Sequence, residues 1–85
     1  MTPRAAGPMT LAQLSSGRRA VVAGLDGGRR LLARMVSLGF VPGVEVVMVQ
    51  NPGRGALIVQ IREARVALGR GEAHRILIAP ARLPA

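Results

Sequence analysis

Apolar and polar positions follow a strand period along most of the chain, and one segment follows a helix period instead. Leu57, Val59 and Ile61 recur every second residue within Ala56 to Arg62 and line one face of an extended segment. Arg19 to Leu25, Val44 to Gln50, Arg65 to Gly69 and Arg75 to Ala79 are also rich in apolar or β-branched residues, with turn formers such as Asp26-Gly27-Gly28 and Asn51-Pro52-Gly53 nearby. Between the first two of these segments the spacing changes. Leu31, Leu32, Met35, Val36 and Leu38 fall three, four and seven apart, while Arg29, Arg30, Arg34 and Ser37 take the remaining positions. That pattern predicts an amphipathic helix over Arg29 to Leu38 with arginines on its outer face.

The junctions agree with this division. Gly39 stands where a left-handed C′ residue would end the helix, and Phe40 at C″ can fold back on the last turn. Val41-Pro42-Gly43 suits a type II turn, with Pro42 fixing φ and Gly43 at the position that needs a positive φ. Thr10 and Gln13 have the spacing of a capping box, which predicts one helical turn within Met9 to Leu14. A turn of 3₁₀ helix is expected at Gly71 to His74, and Pro80 is expected to stop the last strand. Residues 1–8 and 81–85 read as tails around a single domain at 9–80. The expected fold is mainly β, with five strands and a helix between the first and second. At this length a small closed or partly closed barrel best removes exposed strand edges.

Composition narrows the function. The 85 residues are 49% hydrophobic, yet Phe40 is the only aromatic, so Val, Ile, Leu and Met must fill the core. With no cysteine there is no disulfide framework or thiolate site, which suits a reducing compartment such as the cytoplasm. No stretch offers the ~18 to 20 consecutive apolar residues of a transmembrane helix. All twelve basic residues are arginine against four acids, a formal net charge of +8. That balance attracts an anionic partner: nucleic acid, the inner face of a membrane or an acidic protein surface. The arginine usage has a simpler explanation in the codon preference of a GC-rich genome.

The order of junctions resembles the ferrous iron transport protein A (FeoA) family from Met9 to Pro80. The residues that carry the resemblance are Leu11-Ala12-Gln13-Leu14 with Gly17, then the Gly-rich turn into the helix. After these come the helix end Leu38-Gly39-Phe40-Val41-Pro42-Gly43 and the stretch from Arg65 to Ile78 with its short Glu-Ala helical turn. The resemblance implies an SH3-like fold, so that the expected barrel is a five-stranded SH3-like one. It also implies a cytoplasmic accessory role beside the FeoB-type membrane transporter, which carries a G-protein domain, and it implies no catalytic residues. The same small fold occurs as the C-terminal domain of metal-dependent repressors, whose helix-turn-helix domain has no room in this chain.

Three groups of residues are candidate sites. The helix end explains Leu38, Phe40, Val41 and Pro42 structurally, but with Arg30 and Arg34 they would also form a partner surface if Phe40 points outward. Arg29, Arg30 and Arg34 read as a solvated helix face, or as one positive surface with Arg62, Arg65 and Arg75. His74 with Glu72 is a weak candidate for a divalent metal such as zinc or iron. Completing that site takes Asp26, Glu45, Glu63 or a second chain, the last giving a homodimer that shares His74. No cofactor is otherwise expected.

Enzymatic chemistry is not expected, because four scattered carboxylates, one histidine and no cysteine supply no nucleophile, base and orienting group at a recognisable spacing. Gly24-Leu25-Asp26-Gly27-Gly28 lacks the Lys and Ser/Thr of a phosphate loop. A single Phe cannot wall a groove for Pro-rich peptides. The leading expectation is therefore a cytoplasmic regulatory protein that binds the cytoplasmic part of a ferrous iron transporter, recruited by it to the inner membrane face. The alternative is a small basic nucleic-acid-binding barrel, which would need exposed aromatics on which to stack bases.

Overall fold

The computed structural model describes residues 9–81. The expected tails at 1–8 and 82–85 lie outside the described residues. The apolar alternation is realised in one antiparallel sheet of six strands. These are β1 (Met9–Thr10), β2 (Arg19–Leu25), β3 (Glu45–Gln50), β4 (Leu57–Ile61), β5 (Ala64–Leu68) and β6 (Ile76–Pro80), with α1 (Arg29–Ser37) after β2 and α2 (Arg70–Ala73) before β6. Their spatial order is β1-β6-β2-β3-β4-β5.

The five-stranded barrel expectation is corrected on two counts. A sixth strand, β1, pairs Met9 with Ile78 and Thr10 with Leu77, so the main helix lies between the second and third strands. The ladder also does not close, because β1 and β5 stand at opposite edges of the sheet. The sheet carries register shifts between Val22 and Gly24 against β6, and between Met48 and Gln50 against β4. Such irregularities bend a strand and increase its twist. The inner face carries Val22, Val46, Met48, Leu57, Val59, Leu68 and Ile76, all buried, and no polar or charged residue among those described is buried.

The helix end follows its expected geometry. Leu38 caps α1, Gly39 has φ +102°, Gly39 N–H donates to Val36 O at 2.9 Å, and Phe40 N–H donates to Met35 O at 2.9 Å. That pair of bonds is the Schellman motif, and its apolar partners Met35 and Phe40 are both buried. Val44 N–H reaches back to Val41 O at 3.1 Å across Pro42 and Gly43, the latter at φ +95°. Gly43 N–H donates to Val22 O at 2.8 Å and Val22 N–H to Val44 O at 2.9 Å, which fixes this turn against β2.

The segment between β1 and β2 is one 3₁₀ turn, Leu11–Gln13, with Gln13 Oε1 accepting from Thr10 N–H at 2.7 Å. It is held from the opposite side of the sequence by Asn51. The Asn51 amide donates to Ala12 O at 3.0 Å and Leu14 O at 2.8 Å, and its oxygen accepts from Arg70 at 2.7 Å. Arg70 also donates to Ala12 O at 3.4 Å and Gly55 O at 3.1 Å. This polar knot ties the 3₁₀ turn, the β3–β4 loop and α2 together.

Candidate functional site

The structure separates the residues that the sequence suggested for partner contact. Phe40 is fully buried, so the outward-pointing anchor is corrected: the aromatic belongs to the core, where the Schellman bond carries it under α1. Its burial also removes the one ring on which the nucleic-acid reading could stack a base. Arg34 reaches across to the Glu72 carboxylate and joins α1 to α2, while Arg30 is exposed on α1.

Leu38, Val41 and Pro42 line two open grooves. The first, of about 660 Å³, runs between the Val41–Val44 turn and the outer sheet face, bordered by Arg19, Glu45, Val47, Gln60 and Arg62. The second, of about 750 Å³, lies between Leu38 and the β4–β5 hairpin, against Ile61, Arg62, Glu63 and Ala64. Arg62 lines both. It is the first residue of a two-residue hairpin turn and has φ +56°, the only non-glycine residue among those described with a positive φ. A Cβ in that region costs about 1 to 2 kcal/mol, and strain of this kind clusters at functional sites.

Strand pairing explains the outer face. Arg19 is opposite Val47, Val47 opposite Gln60, and Gln60 opposite Arg65, so these four form one row across β2, β3, β4 and β5. Half-buried Val47 and Gln60 sit in the middle of the row, with exposed arginines at both ends.

The expected continuous arginine surface is divided by ion pairs. Arg34 holds Glu72, Arg75 approaches Asp26 at 3.8 Å, and Arg19 approaches Glu45 at 3.9 Å. Arg29, Arg30, Arg62 and Arg65 have no carboxylate partner among the described residues, and the last two belong to one hairpin. The metal candidates do not assemble in one chain either. Glu72 also accepts from Gly69 N–H at 3.1 Å, His74 is exposed, and no group of three His, Asp or Glu suited to a metal occurs among the described residues. Among those residues no helix is long and apolar enough to cross a membrane.

Sequence reasoning did not single out Asn51 and Arg70 as a pair, or Arg62 as the meeting point of two grooves. Asn51 read as a turn former and Arg70 drew no reading of its own, and their partners lie 15 to 58 positions away in sequence. The two-residue span between Ile61 and Ala64 was the available signal for Arg62.

None of the curated proteins compared matches the chain, but the solved structures do. One is the Stenotrophomonas maltophilia FeoA complexed with zinc, described as a procaryotic SH3 domain protein and a candidate ferrous iron transport activating factor. It is 37% identical with a TM-score of 0.76, over 84% of this chain and 89% of that one. An iron uptake regulatory protein, also a FeoA, is 25% identical with a TM-score of 0.79, over 85% and 96%. A manganese-dependent transcriptional repressor shares the fold at 21% identity and a TM-score of 0.80, with 87% of this chain matching 42% of the repressor. The FeoA domain model matches residues 9–80, the span of the whole six-stranded sheet, and the chain belongs to the FeoA family, which is associated with ferrous iron transport.

Proposed function

We propose that this protein is a cytoplasmic accessory factor of ferrous iron uptake that binds the cytoplasmic part of the iron transporter, and that it is not an enzyme. The contact surface is the β4–β5 hairpin end of the sheet, where the groove on the outer face and the groove beside Leu38 meet, around Leu38, Val41, Pro42 and Arg62. The observation that carries the reading is the meeting of both grooves at Arg62, a strained, charged residue with no carboxylate partner among the described residues, in a family tied to iron transport. Apolar Leu38, Val41, Pro42 and Val47 around the exposed Arg62 suit a protein surface with acidic groups at its rim, which steer the encounter while apolar burial holds the complex.

The test is direct binding of the purified chain to the cognate transporter's cytoplasmic domain and to the full transporter, at low and moderate salt. The expected result is association that Arg62→Glu weakens at least about tenfold, equivalent to about 1.4 kcal/mol, while Arg54→Glu, outside both grooves, changes it little. Absence of association with either form overturns the reading.

A further inference from the structure

We propose that the free edge of β5 accepts an extended acidic segment of a partner protein as a seventh strand, antiparallel or parallel, with acidic side chains facing Arg65. The inference rests on the reading that this face binds a protein, and it names the mode and the chemistry of recognition.

Backbone pairing comes first. The two-residue turn Arg62-Glu63 makes Ile61 and Ala64 the hydrogen-bonded closing pair of the hairpin, and pair types then alternate along the ladder. Val59 with Val66 and Leu57 with Leu68 are therefore hydrogen-bonded pairs, and the N–H and C=O groups of Arg65 and Ala67 point away from β4. Among the described residues β5 pairs with β4 alone, and Arg65 and Ala67 are exposed. A row of unpaired backbone groups on an exposed strand is a template for another strand unless it is blunted. This edge has no proline and no bulge, and no strand lies over it among the described residues.

Side chains then select the occupant. An added strand would extend the row Arg19, Val47, Gln60, Arg65 by one position, and the residue there would have Arg65 as its cross-strand neighbour. Opposite charges in such a pair stabilise a sheet and like charges destabilise it. Alternate residues of the added strand would face the other way, toward half-buried Val66, which already packs against the core. The fitting segment therefore alternates acidic and apolar residues, with backbone bonds for affinity and the alternation for specificity. A second copy of this chain fits poorly, because antiparallel β5-to-β5 pairing about Val66 sets two copies of Arg65 as diagonal neighbours on one face.

The probe is an end-capped heptapeptide of alternating Glu and Val, titrated into the isotope-labelled full chain while amide hydrogen exchange is followed. The expected outcome is protection of the Arg65 and Ala67 amides by at least about tenfold at saturation, with the corresponding Lys and Val peptide giving none. Ala67→Pro removes one outward N–H without touching the β4 ladder, a place where an edge strand tolerates proline, and should abolish protection. Should that variant fail to fold, Arg65→Glu serves in its place and should transfer the preference to the Lys and Val peptide. Peptide binding without protection at these two amides overturns the proposal, as does no binding. Protection that instead depends on the chain's own concentration overturns it in favour of a homodimer. Equal binding of the transporter domain to wild type and Ala67→Pro would sink strand addition and leave the transporter reading standing. Peptide pairing without transporter binding would do the reverse.

Discussion

Two residues explain most of what is unusual in this chain, and they act in opposite directions on stability. Asn51 uses both donors of its amide on two main-chain carbonyls and uses its oxygen on Arg70 and on Gly53 N–H at 3.1 Å. Asn51→Ala should cost about 1 to 3 kcal/mol in urea unfolding, since it leaves the part-buried Leu14 carbonyl without a donor and Ala12 O with Arg70 alone. Asn51→Asp, with the same shape but no N–H to offer Ala12 and Leu14, should also destabilise despite the added attraction to Arg70. A stability like that of wild type in both variants would show the knot to be incidental. Arg62 works the other way. Arg62→Gly should raise stability by about 1 kcal/mol by relieving its positive φ, and should weaken partner binding because it removes the shared cation of the two grooves. Lower stability in Arg62→Gly would mean that the side chain, and not the backbone, holds the hairpin.

Among the elements, the end of α1 was the most legible in advance and the sheet edges the least. The block from Leu38 to Gly43 carries local instructions: a glycine for the left-handed position, an apolar residue after it, and a proline before a second glycine. Each acts over one to five residues, which is why the helix stop and the turn were read correctly. Gly39→Ala should be destabilising by about 1 to 2 kcal/mol from the positive φ alone, and its Cβ would press the Ile61 side chain at 3.4 Å. A thermal midpoint unchanged in that variant would refute the role given to the Schellman motif. β1, by contrast, has two residues, too few for any alternation to show, and exists only because β6 offers Ile78 and Leu77 as partners. The strand bounds shifted by a residue or two for a related reason, since Arg62 and Val44 read as strand but belong to turns.

For the whole molecule, charge and edge geometry set the expected behaviour. A formal charge of +8 with three of four carboxylates in ion pairs leaves unpaired arginines at the surface. Association with the proposed transporter partner should therefore slow as salt rises, with the effect mainly on the on-rate and little on the apolar component. Stopped-flow rates that do not change between low and moderate ionic strength would argue against electrostatic steering. The sequence by itself determined the family, the position of the helix, the turn at Pro42 and the mainly β composition, because these depend on neighbours a few residues apart. Tertiary structure alone decided that Phe40 is core, that Arg34, Arg75 and Arg19 are drawn to carboxylates, and that β5 is left as an open edge. Those outcomes depend on which distant segments meet, and arginines that look alike along the chain differ only in what the fold places beside them.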